Sequence, residues 1–286
     1  MPAVPTSTIR SIEALRQALA TERASGRSIA LVPTMGALHA GHLALVAAAR
    51  EQADVVVVSI FVNPTQFGDK LDLEAYPRTL DHDLEKLDAY EVGYVFAPST
   101  EEIYPNGKTE ITVQAGMTAS RFEGRSRPGH FDGVLTVVSK LLNIVEPDFA
   151  CFGEKDAQQL HLVRRLVADL DFATEIVPVA TERDSDGLAL SSRNARIDPA
   201  RREHALAIPR ALVAASRSAD LGVEPMLAAA QGVMQSDTKV KLDYLAAVDP
   251  DTFLPVDENH SGAVRVLIAG TVDGVRLIDN TLVRIP

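Results

Sequence analysis

Residues 55–62 read VVVVSIFV: six β-branched aliphatics, one phenylalanine and a single polar side chain, Ser59. A strand with one face in water alternates apolar and polar residues, and this stretch does not. It predicts a strand buried on both faces, as in a parallel sheet covered by helices. The neighbouring sequence agrees. Upstream, Ile12, Leu15 and Leu19 recur at helical spacing over 12–23, residues 28–32 form a short apolar strand, and the Ala- and Leu-rich segment 43–50 predicts a helix. Downstream come a charged amphipathic helix at 80–90 and a strand at 92–97. A helix at 133–144, a strand at 148–152, a helix at 157–170 and a strand at 174–181 follow. Strands separated by single helices imply βαβ units, and so an α/β, Rossmann-like doubly wound parallel sheet over residues 1–185.

Beyond Asp186-Gly187 the texture changes. Helical spacing over 199–216 and 224–235 is followed by strand candidates at 241–248, 263–271 and 275–278, the last two joined by the hairpin signal Asp273-Gly274. Residues 186–286 therefore read as a smaller α+β C-terminal domain, placed as a lid. No internal repeat or low-complexity tract interrupts the chain.

Composition narrows the function classes. The 286 residues are 46% apolar, enough for a sizeable core. With 39 acidic and 28 basic residues the formal charge is −11, which disfavours nucleic acid and anionic membranes as partners. A polyanionic ligand needs a local basic pocket. The one cysteine, Cys151, lies in the apolar run Phe149–Phe152 and reads as an inert core residue. With one cysteine, an absent leader pattern at the N-terminus and apolar runs all shorter than about 18 residues, the expectation is a cytoplasmic protein.

Ligands of doubly wound sheets bind beyond the carboxyl ends of the strands, and several polar clusters fall there. In PTMGALHAGH (33–42), Gly36 permits a tight turn after the strand, and His39 and His42 share one face of the first helical turn. A helix start with unpaired N–H groups is an anion site, and two imidazoles add donors for phosphate oxygens. Incidental cap histidines or a metal pair stay open as readings, although no third His or Cys ligand lies nearby in sequence. Asn63 and Gln66, past the VVVVSIFV strand, are neutral amides suited to a hydroxyl or carboxylate. Lys155, in Gly153-Glu154-Lys155-Asp156, suits phosphate, and Asp156 a ribose hydroxyl. Ser191, Ser192 and Arg193 suit a loop closing over a triphosphate. Residues 121–131, RFEGRSRPGHF, read equally as a mobile basic flap or a solvated loop. The acids Asp81 and Asp83 read as the exposed start of a helix.

Taken together the motifs resemble the nucleotidyltransferase superfamily with its H-x-G-H signature and, within it, the pantothenate synthetase family. They occur in order: PTMGALHAGH (33–42), SIFVNPTQF (59–67), YPRT (76–79), RPGHFDGVLTVVSKL (127–141), GEKDAQQL (153–160) and DGLALSSRN (186–194), with LIDN (277–280) in the tail. The resemblance implies ATP-dependent condensation of pantoate with β-alanine, through a pantoyl adenylate, to pantothenate, AMP and pyrophosphate. It implies Mg²⁺ carried mainly by ATP, with no protein metal ligand assigned, and a homodimer.

It also implies residue roles. Met35, Gly36, Ala37, Leu38, His39, Ala40, Gly41 and His42 would contact ATP, with His39 and His42 on its phosphates and His42 as proton donor. Gly153, Glu154, Lys155 and Asp156, together with Leu190, Ser191, Ser192 and Arg193, would complete the ATP site, with the backbone of Glu182 bordering the adenine. Gln66 and Gln159 would bind pantoate, Gln66 later β-alanine, with Asn63 and Arg127 in the same subsite. His39, His42, Lys155 and Arg193 form the expected catalytic set, because adenylation builds negative charge that fixed cations and donors stabilise. This chain departs from the family pattern at Ala157, usually an aromatic, at Leu190, usually Met, and at His82 and Lys86, where relatives often carry an acid or amide. Arg125 adds a charge to the 121–131 stretch. An adenylyltransferase acting on a phosphorylated acceptor and an inactive nucleotide-binding regulator stand as competing readings.

Overall fold

Strand β3 (Val55–Ile60) is an interior strand of a six-stranded parallel sheet, buried at every position but Ile60. The computed structural model describes residues 6–68, 70–107 and 109–286. They fall into two compact units, one drawn from Met1–Glu154 and Leu162–Ala180, the other from Lys155–His161 and Thr181–Pro286.

The parallel sheet belongs to the first unit. Its strands are β1 (Ser7–Ile9), β2 (Ile29–Thr34), β3, β4 (Tyr94–Phe96), β5 (Phe149–Gly153) and β6 (Glu175–Val179), in the order β1-β4-β3-β2-β5-β6. From β2 the chain steps outward through β3 to β4, then returns to lay β5 on the other side of β2, with Leu31 opposite Ala150. The carboxyl ends of β2 and β5 therefore flank a topological switch point, where doubly wound sheets bind ligands. Strand β1, an edge strand beside β4, was not foreseen; three residues, two exposed and one half-buried, carry too little periodicity to be read.

Helices α1 (Ile12–Ala24), α2 (Ala40–Gln52), α3 (Lys70–Glu74), α4 (Leu80–Asp88), α5 (Thr100–Ile103), α6 (Phe122–Ser126) and α7 (His130–Val145) connect the strands, and α8 (Ala157–Asp169) runs between β5 and β6. Val46 and Ala49 of α2 and Leu87 of α4 join Val32, Val56, Val58, Val95 and Cys151 in one apolar cluster. Residues 121–131, read as flap or solvated loop, contain a short, partly buried helix. Phe122–Ser126 is helical, Glu123 and Gly124 are buried, and a Cβ on Gly124 would collide with the carbonyl of Ala119. That close approach excludes any other side chain.

The second unit is a three-stranded antiparallel sheet, β7 (Val240–Val248), β8 (Gly262–Val272) and β9 (Val275–Ile285), with helices α9 (Arg202–Ala205), α10 (Ala207–Ser218) and α11 (Val223–Ser236). Ile208, Leu212, Met226 and Met234 share its core with Val264, Val266 and Ile268. The helix expected over 199–216 is broken. Pro209 has no N–H and its ring opposes the carbonyl four residues back, so α9 ends at Ala205 and α10 restarts with Pro209 in its first turn. Asp273 and Gly274 take φ of 50° and 78°, the left-handed pair a tight hairpin requires. β9 runs well past the expected 278, because β8 pairs with it as far as Gly262 opposite Ile285.

Candidate active site

At the carboxyl end of β2 the backbone turns left-handed twice, at Gly36 (φ 81°) and Ala37 (φ 51°), before entering α2. A Cβ on Gly36 would sit 3.1 Å from both Asp83 Oδ2 and Ile60, which leaves little room for a larger residue. His39 is the N-cap of α2. Its Nδ1 accepts from Gly41 N (3.2 Å), and the Nδ1 of His42 accepts from His39 N (3.3 Å). The two histidines thus form a reciprocal capping box of the kind usually made by Ser and Glu. The nitrogen that accepts carries no proton, so in each neutral ring the proton sits on Nε2. The rings lie 4.0 Å apart between centroids. Two Nε2–H donors at a positive helix end, beside the switch point, can bind a polyanion.

Helix α4 holds the loop before these histidines. Asp83 is fully buried; Oδ2 accepts from Ala37 N (2.9 Å) and Thr79 Oγ1 (3.2 Å), and Oδ1 from Leu38 N (2.7 Å). Lys86 Nζ donates to Leu38 O at 2.6 Å. Asp83 is therefore no exposed helix start, though Asp81 is exposed. The signal was present in the sequence. Residue 83 lies on the stripe of Leu80, Leu84 and Leu87, and an acid on an apolar stripe needs donors. Beside the loop a cavity of about 280 Å³ is walled by Arg10, Met35, Gly36, Arg78 and Thr79.

Gln66 ends a 3-10 turn that follows β3 and is buried. Its Nε2 meets Met35 Sδ at 2.9 Å, and its Oε1 accepts from Asn63 Nδ2 at 3.0 Å. Asn63 is 1% exposed. Its Nδ2 also donates to Gly133 O, and its Oδ1 accepts from Tyr104 Oη (2.8 Å) and Thr65 Oγ1 (2.9 Å). Asn63 thus holds Gln66 in place. Arg127 reaches the same residue indirectly: its Nη1 lies 3.0 Å from His130 Nε2, and His130 Nδ1 lies 2.9 Å from Gln66 O. The carbonyl can only accept, so His130 carries its proton on Nδ1 and accepts from Arg127 on Nε2. Sequence reading missed Asp83, Tyr104 and His130 as supports. The first unit brings Met35, Gly36, Ala37, Leu38, His39, Ala40, Gly41, His42, Asn63, Gln66 and Arg127 into one constellation of loops at the sheet's carboxyl edge, with Gly153 closing β5.

In the second unit, Lys155 is one-fifth exposed and lies 4.0 Å from Asp156 Oδ2, and Gln159 is half-buried on α8. Leu190 N donates to Glu182 O (2.9 Å) and Asp184 N to Leu188 O (2.9 Å), closing a small hairpin. Arg202 grips its tip through Asp184 and Asp186, holding the Asp186 carboxyl below its usual range. Ser191 caps the turn that carries Ser192 and Arg193, its Oγ accepting from Arg193 N at 3.2 Å. The hairpin that leads into this turn is thus tied at base and tip.

The model of the family described as pantoate-beta-alanine ligase matches residues 7–282. The chain belongs to the pantoate–β-alanine ligase family. Pantothenate synthetases from Nocardioides sp. and Nocardia farcinica are 50% and 52% identical, covering 94% and 91% of this chain and 82% and 81% of theirs. A solved pantothenate synthetase from Thermus thermophilus is 45% identical with a TM-score of 0.89, over 96% of this chain and 98% of that one. The pantoate–β-alanine ligase of Francisella tularensis, solved in complex with β-γ ATP and β-alanine, is 36% identical with a TM-score of 0.80, over 97% of each chain.

Proposed function

We propose a residue-level assignment for the reaction of the pantoate–β-alanine ligases, which this chain carries out: ATP-dependent condensation of pantoate with β-alanine to pantothenate, AMP and pyrophosphate, through a pantoyl adenylate. The observation that carries the assignment is the histidine capping box at the switch point. In the first step the pantoate carboxylate attacks the α-phosphorus, and charge grows on the phosphate oxygens and the departing pyrophosphate. His39 and His42 donate Nε2–H bonds to that charge, already held in the donor tautomer by the backbone. Lys155 and Arg193 contribute fixed cations to the same developing charge. Gln66, steadied by Asn63 and through His130 by Arg127, binds pantoate and then β-alanine, with Gln159 on pantoate. Met35 to His42, Gly153 to Asp156, Glu182 and Leu190 to Arg193 make up the ATP contacts. Residues 1–185 serve nucleotide and pantoate binding in this reading, and 186–286 the lid. The second step is attack by the neutral amine of β-alanine on the acyl adenylate, which needs positioning and exclusion of water and no protein nucleophile.

Mg²⁺ carried by the triphosphate would neutralise charge on its oxygens. Both oxygens of Asp83 accept from N–H and O–H donors of the Gly36–Leu38 loop and Thr79, so this buried acid serves to hold the loop. We also infer a cytoplasmic homodimer, checked by sedimentation velocity. The assignment is tested by ATP–pyrophosphate exchange, expected when pantoate is present and absent without it. Exchange without pantoate overturns the assignment. In the same assay Lys155→Ala should lose about two orders of magnitude, since one such donor contributes about 2.7–4 kcal/mol; a loss under about threefold removes Lys155 from catalysis.

A further inference from the structure

The tail motif LIDN (277–280) takes no part in the assignment above, yet it places two buried polar residues side by side on β9. Asp279 is 4% exposed and Asn280 6%. Successive strand residues face opposite sides of the sheet, so the two side chains serve different loops. Asn280 Nδ2 donates to the main-chain carbonyl of Lys155 at 3.0 Å, and its Oδ1 accepts from Arg265 Nη1 at 2.5 Å. Asp279 accepts both guanidinium N–H groups of Arg183, at 2.7 and 2.9 Å. Arg183 also donates to Gly187 O (3.1 Å) and forms the bridge with Ala189, at the base of the hairpin that ends in Leu190 and the Ser191–Arg193 turn. Asn194 Nδ2 ties that turn back to Ala189 O.

We propose that Asp279 and Asn280 are positioning residues for adenylation: Asn280 sets the main chain of Lys155, and Asp279, through Arg183, sets the Ser191–Arg193 turn. The physical case is one of geometry and cost. Burying a carboxylate and an amide in a small sheet is unfavourable unless every oxygen and N–H finds a partner, and these partners tie directly to the two loops that carry the proposed cations. Lys155 and Asn280 are 125 residues apart in the chain, so the contact fixes Lys155 to a rigid strand rather than to its own flanking turn. A lysine displaced by about 1 Å loses much of its effect on a developing charge. The inference rests on the assignment of Lys155 to adenylation.

The test is a double-mutant cycle in pantoate-dependent pyrophosphate exchange with the full chain. Asn280→Asp keeps the shape and the bond from Arg265 but cannot donate to the Lys155 carbonyl. It should lower kcat at least about tenfold while the KM for pantoate stays within about twofold, and it should cost nothing further in a Lys155→Ala background, because coupled residues are not additive. If Asn280 only stabilises the fold, the two losses multiply, or kcat is unchanged; either result overturns the proposal. Asn280→Ser, which removes the amide donor without adding charge, is read in the same cycle and decides the question if the aspartate variant does not fold. Asp279→Asn should raise the KM for ATP about fivefold or more with the KM for pantoate unchanged, and an unchanged KM for ATP removes that half. Should Lys155→Ala itself stay within about threefold of the parent, the catalytic assignment fails, a result distinct from failure of the positioning role.

Discussion

At the scale of single residues, the histidines of PTMGALHAGH have two separable jobs under the proposed assignment. Nδ1 of each is spent on the helix start, and Nε2 carries the proton that a ligand can meet. Asparagine at position 42 can imitate the first job, since its Oδ1 stands where Nδ1 did, but it is too short for the second. His42→Asn should therefore melt within a few degrees of the parent while pantoate-dependent exchange falls about a hundredfold, measured by calorimetry beside the exchange assay. Equal activity in the two proteins would show that the ring matters only as a cap. The sequence displayed the pair and its spacing. It could not display the tautomer, which depends on which backbone N–H each ring meets.

Among elements, α7 packs closely against the turn after β3 that carries Gln66, the residue proposed to bind pantoate. A Cβ built on Gly133 would stand 2.7 Å from Gln66 N and 2.6 Å from Thr65 C, and would collide with Thr65 O. Gly133→Ala must push α7 away from the turn that carries Gln66. Overpacking of this kind costs about 1–3 kcal/mol, to be read from urea unfolding. Because Gln66 moves with the turn, the KM for pantoate should rise about tenfold, and more than the KM for ATP. A substitution that lowers stability and leaves the KM for pantoate alone would break the link drawn between packing and binding. The same scale explains Asp83 and Lys86. Their roles follow from α4 lying against the loop at Gly36–Leu38, and that adjacency is a property of the fold.

For the molecule as a whole, Cys151 reports on integrity. It is fully buried on β5, in the cluster that joins the sheet to α2 and α4, and burial pushes its thiol up to about 11. At pH 8 roughly one part in a thousand is thiolate, and no reagent reaches it without opening the sheet. A disulfide reagent should label the native protein at the rate of unfolding and the denatured protein at once; fast native labelling would contradict the packing. The sign of the alkaline limb follows. The thiol's ordinary value is 9 and its folded value is higher, so between about pH 9 and 11 the unfolded chain gives up the proton first. This group's contribution to stability is whole below pH 9 and shrinks through that window.

Local pattern carried much of this protein. VVVVSIFV declared a two-sided strand, the alternation of strands and helices declared a doubly wound sheet, and six ordered motifs declared the family, because each depends on residues near one another in the chain. What the pattern hid was long-range. Nothing near Asp83 in the sequence shows that its oxygens are taken by Ala37 and Leu38, and nothing near LIDN shows that Asn280 holds the carbonyl of Lys155. Hydrophobic periodicity says which side of an element is buried. The partner that satisfies a buried polar atom is set only when the chain closes on itself, because hydrogen bonds require distance and direction as well as burial.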